Sequence, residues 1–138
     1  ADVEYNIGIS KDFNVFELQK AIGAKDLLKA TQIVNYFGDN PNDNPIFMTI
    51  VVLYGYFTKL LKLHFSKDKD KNTLATMLGV NPFFVNDYIT AARNFSWTDC
   101  MRCIEILRDF DLRAKGYNSS SDITQKELYR EMICRILL

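Results

Sequence analysis

Residues 46 to 65, "IFMTIVVLYGYFTKLLKLHF", narrow the possible folds of this chain more than any other stretch. Apolar side chains occupy almost every face of the helix this segment would form through Phe57, and such a helix needs cover on all sides. The uncharged run stops at Lys59 after about a dozen residues and Lys62 follows one turn later, whereas crossing a bilayer takes roughly 20 apolar residues. The segment therefore reads as the central helix of a soluble bundle, enclosed by its neighbours. Gly55 would cost about 1 kcal/mol relative to alanine if exposed, which predicts a close backbone crossing there. Upstream, "DNPNDNP" is polar and twice broken by proline. Asn44 is the expected cap and Pro45 the first helical residue, where a missing amide hydrogen costs nothing.

The flanking sequence supplies the neighbours. Asn14 followed by Glu17 has the spacing of an N-cap and its reciprocating carboxylate, and "VFELQKAI" presents Phe16, Leu18, Ala21 and Ile22 before Gly23 interrupts. From Lys25 to Phe37, apolar residues at Leu27, Leu28, Ile33, Val34 and Phe37 follow a period near 3.6, with Gly38 placed for a left-handed stop. "SKDKDKN" is a charged loop of mixed sign. "LATMLGVNPFFVNDYITAARNF", residues 74 to 95, then has the outline of a helix-turn-helix, with Gly79 as C-cap and Asn81-Pro82 opening the second helix. Ser96 with Asp99 makes another capping pair, ahead of Trp97, Met101, Ile104, Leu107 and Ala114 at helical spacings, and Gly116 ends that helix. After the linker "YNSSSD", Thr124 with Glu127 opens a last helix whose broad face is Leu128, Met132, Ile133, Ile136 and Leu137. No strand-length alternation of β-branched residues and no internal repeat is present. The expected fold is all-α, a single bundle of about six or seven helices, and 138 residues suffice for one domain with a real core.

Most function classes lack their residues here. Lysine plus arginine and aspartate plus glutamate both number 17, so no bulk positive field gathers phosphates. A DNA-reading helix after the turn should offer basic and amide side chains to base edges, but "PFFVNDYITAARNF" leads with Phe83, Phe84 and Val85, and its only cation, Arg93, is offset by Asp87. Those aromatics suit a core or a partner's groove. Cys100 and Cys103 have the spacing of half a zinc site, but only Cys134 and His64 could complete it, so the pair reads as small buried residues in a helix and no metal is expected. Three cysteines form no disulfide framework and suit a reducing cytosol. There is no matched nucleophile and base, no paired carboxylates among convergent polar groups, and no glycine-rich phosphate loop, so neither catalysis nor a cofactor is expected. Tyr117, in a loop just past Gly116, could stack on a base or fold back on its own helix. The lysines between 59 and 71 read as a solvated rim. A start at "ADVEYN", with neither methionine nor leader, suggests a piece of a longer protein.

Five stretches together carry a family resemblance: "IGISKDFNVFELQKAIGAKDLLKA", "YFGDNPNDNPI", "YFTKLLKLH", "LGVNPFFVNDYITAARNF" and "LRDFDLRAKG". In this order, from about residue 7 to the end, they resemble the C-terminal domain of the delta subunit of the bacterial DNA polymerase III clamp loader, in its Bacteroidetes-like form. The resemblance implies a collar domain over residues 10–138, preceded at 1–9 by the tail of a helical lid domain. It implies a cytoplasmic module that holds the loader pentamer together beside gamma/tau-type and delta-prime-type subunits, without binding ATP or a small-molecule substrate and without a membrane. The expected subunit interface lies on the last two helices, with Trp97, Phe110, Tyr117 and Tyr129 as aromatic anchors. Primer-template DNA in the assembled loader would meet Tyr117 and Asn118. The competing readings are a helix-turn-helix-like DNA-binding domain and an adaptor unrelated to replication.

Overall fold

The computed structural model describes residues 13–67, 70–117 and 122–138. Among these residues there are seven α-helices and one short 3-10 turn: α1 (Val15–Gly23), α2 (Leu27–Asp39), α3 (Ile46–Phe65), α4 (Lys71–Leu78), the turn Pro82–Phe84, α5 (Val85–Asn94), α6 (Trp97–Ala114) and α7 (Gln125–Leu137). No strand occurs among the described residues, so the all-α expectation holds. The expected lid-domain tail at residues 1–9 lies outside them.

Local chemistry sets most helix ends. The Asn14 side chain accepts the Phe16 and Glu17 amides, and Thr124 accepts that of Glu127. Ser96 and Asp99 form a reciprocal capping box. Gly79 takes the left-handed conformation, at φ 70°, which a residue with a Cβ adopts only under strain. Asp26 caps α2 by accepting the Lys29 amide, so that helix starts at Leu27 rather than at Lys25.

Two helix pairs carry the bundle. α3 lies along α6, α2 lies along α7, and α1 bridges α2, α3 and α5. Leu53, Phe57 and Leu60 of α3, Phe37 of α2, Leu107 and Phe110 of α6, and Tyr129 and Met132 of α7 have no exposed surface. A smaller cluster of Leu74, Ala75 and Val85 joins α4 to the start of α5. Within the main core, Phe57 and Phe95 meet edge to face at 5.3 Å between ring centres. The Phe95 carbonyl lies 2.6 Å from His64 Nε2; since a carbonyl only accepts, this nitrogen carries the proton.

Three local expectations change. Gly38 does not stop α2, which runs on to Asp39; instead, a Cβ there would lie 2.5 Å from the Lys126 Cβ, so this glycine lets α2 and α7 touch. Gly55 marks no crossing among the described residues, because a Cβ added there meets nothing of theirs within 4 Å. Pro45, not Asn44, is the N-cap of α3 and Ile46 its first residue. The missing side-chain cap comes from Gln125 at the start of α7, whose Oε1 accepts the Ile46 amide at 2.8 Å.

Candidate interaction surface

The long apolar helix is enclosed on one side only. Its inner face, with Thr49, Ile50, Leu53, Tyr56, Phe57 and Leu60, is buried. Along the outer face Phe47, Met48, Val51 and Tyr54 are exposed by 53, 57, 68 and 52%. Their spacing of three and four residues makes one continuous ridge. The expectation of a helix covered all round therefore fails: among the described residues the six other helices enclose α3 only in part, leaving the ridge exposed. Ile46–Phe65 is long and apolar enough by length and composition to cross a membrane, yet in this fold its inner face is part of a bundle core.

A groove lies on each side of the ridge. The first, of about 720 Å³, runs between α1, α3 and the turn leading into α5. Exposed Phe16, Phe83 and Phe84 wall it with Val51, and Tyr56 and Tyr88 are among its buried lining, their rings 5.4 Å apart. Burial pushes both phenols above their ordinary range, so these two rings give the groove an uncharged lining between its charged rim residues. Gln19 Nε2 donates to the Tyr88 hydroxyl at 3.4 Å. The second groove, of about 660 Å³, lies between α3 and α6, with Phe47, Val51 and Tyr54 on one wall and Ile104, Arg108 and Asp111 on the other. Val51 lines both grooves and joins them into one surface.

The four expected anchors divide evenly. Trp97 is 52% exposed, with its ring 6.2 Å from that of exposed Phe65 and with exposed Met101 one turn along α6. Tyr117 is 63% exposed, and its amide donates to the Leu112 carbonyl where α6 ends. Phe110 and Tyr129 are corrected to core residues, because neither has surface to offer a partner. Phe110 shares the inward face of α6 with Cys103, Ile106 and Leu107, and the guanidinium of Arg113 lies 4.6 Å from its ring centre. Tyr129 donates its hydroxyl hydrogen to the Asn44 carbonyl at 2.8 Å. That leaves Thr49 as the donor in the 2.7 Å pair between the Thr49 and Tyr129 hydroxyls. Asn118 lies outside the described residues. The exposed ridge and the Phe16 wall were missed as a surface, although the excess of apolar residues in α3 over what one face can bury was a signal for it, whereas for Phe83 and Phe84 the sequence had left a core and a partner's groove both open.

Other candidates fall into place. Cys100 and Cys103 face the core, and burial pushes their thiols up to about 12 and about 11, whereas Cys134 is exposed. Among the described residues no group of three or more histidine, cysteine or acidic side chains could hold a metal ion. The helix after the turn, α5, exposes Asn86, Asp87, Thr90 and Arg93, one cation against one carboxylate, which is a poor surface for phosphates. Comparison with known proteins gives one result. The family model described as DNA polymerase III delta subunit, C-terminal domain, matches residues 12–132. No curated protein and no solved structure matches the chain.

Proposed function

Because the chain belongs to the family formed by the C-terminal domains of DNA polymerase III delta subunits, we propose that it is the non-catalytic collar of such a protein, in its Bacteroidetes-like form, and holds the clamp-loader pentamer together in the cytoplasm. The neighbours are the gamma/tau-type and delta-prime-type subunits, and ATP hydrolysis belongs to other members of the assembly. The observation that carries this reading is the uncovered ridge of α3. At about 200 Å² per large side chain, Phe16, Phe47, Met48, Val51, Tyr54, Phe83 and Phe84 together offer on the order of 800 Å², the contribution of one partner to a standard interface. An apolar patch of that size exceeds what a typical monomer leaves in water. Trp97 and Tyr117 extend the contact, while Phe110 and Tyr129 hold its shape from within.

Mixing the chain with the other loader subunits tests the reading. The chain should enter a stoichiometric complex or displace full-length delta. Val51→Glu should be excluded from the complex while its circular dichroism stays that of the parent. A parent chain that ignores every loader component but binds duplex DNA with strong salt dependence would restore the helix-turn-helix alternative. Contact with primer-template DNA at Tyr117 and Asn118 belongs to the same proposal. A cross-linker at position 117 should capture a primed template in the assembled loader, and no adduct there would remove that part.

A further inference from the structure

The groove between α1, α3 and α5 has a feature that an internal packing role does not explain. Gly55 sits in the interior of α3, where glycine weakens a helix relative to alanine, yet a Cβ added there would meet nothing within 4 Å among the described residues. Gly23 and Gly38 differ, since each makes room for a neighbouring side chain or backbone. A bare patch of helix backbone at the wall of an apolar groove is what a second helix needs to approach closely. The surroundings agree: Phe16, Val51, Phe83 and Phe84 stand exposed around it, and about 720 Å³ holds a few large side chains of one helical face.

The rim indicates the partner's chemistry. Glu17 and Lys20 of α1, Lys59 of α3 and Asp87 of α5 line this groove, and none of them is in an ion pair among the described residues. We infer that this groove seats an α-helix of a neighbouring loader protein, crossing α3 at Gly55, with an apolar stripe flanked by charges of both signs that meet the four rim residues. The inference rests on the collar reading and adds the seat and the character of the docking element. An extended strand is a poorer occupant, because the groove walls are helical and offer no free backbone edge.

The experiment places Gly55→Leu, and separately Lys59→Glu, in the full-length delta protein that carries this domain, and titrates each against the remaining loader subunits. Both variants should weaken assembly roughly tenfold or more, while the isolated Gly55→Leu chain keeps its helicity and melts no lower than the parent. In parallel, p-benzoylphenylalanine in place of Phe83 should cross-link, on irradiation of the assembled loader, to a peptide from a helix of a neighbouring loader protein. Assembly unchanged in both variants would overturn the inference and leave the collar reading standing. Adducts to a second copy of this chain alone would overturn it in favour of self-association. If the parent delta protein itself failed to assemble, the collar reading would fail first and the inference with it.

Discussion

Gly38 and Gly55 both lie inside helices, yet a methyl group would meet opposite fates at the two positions. At Gly38 it would lie 2.5 Å from the Lys126 Cβ and 2.8 Å from its Cα, so α2 and α7 would have to separate. Gly38→Ala should lower stability by about 1–3 kcal/mol. Gly55→Ala meets no described residue within 4 Å and should raise it by about 1 kcal/mol. Urea titration of the two variants reads both signs, and a loss at Gly55 would mean that α3 is packed differently from the structure described. The cysteines separate in the same manner. Burial keeps the Cys100 and Cys103 thiols protonated, while Cys134 faces solvent. Iodoacetamide on the native chain should therefore add one label, at Cys134, and three only after unfolding, as mass spectrometry would report.

Helix boundaries show how far local chemistry reaches. The Ser96 and Asp99 box encloses its own helix end and was readable from a spacing of three residues. The α3 start was not, because its amide is satisfied by Gln125, 79 residues away in the chain. Gln125→Ala removes that acceptor and should cost about 1 kcal/mol, the usual effect of losing a cap. The loss should be absent in Gln125→Glu if the carboxylate keeps the contact, and thermal melts of the two variants check this. Tyr129 anchors the same corner through the Asn44 carbonyl, so α7 holds both the loop before α3 and the first turn of α3.

For the whole molecule, the buried acids predict an alkaline limit to stability. Cys103 is held up to about 11, Cys100 and Tyr129 to about 12, and Tyr56 higher still, burial being the main cause in each case. These groups lose their protons more easily when unfolded. Their contribution is thus complete below the ordinary values of about 9 for a thiol and 10 for a phenol, and is lost as pH rises through the folded values. The urea midpoint should fall steadily between about pH 9 and pH 12, and a flat midpoint across that window would show that the groups are not buried as described. Fold class was legible in the sequence because helical period, caps at Asn14, Ser96 and Thr124, and the turn at Gly79 are local properties. The candidate surface was legible only in part. Trp97 and Tyr117 are exposed, as an anchor must be, but a period of 3.6 shows that Phe110, Tyr129 and Val51 lie on apolar faces without showing which faces are covered. The chain by itself determined which segments become helices and that one of them carries more apolar surface than a single face can hide. Only the packing of α6, α5 and α1 around α3 decided that Phe57 is enclosed while Val51 meets water, because burial depends on how many neighbours reach each face.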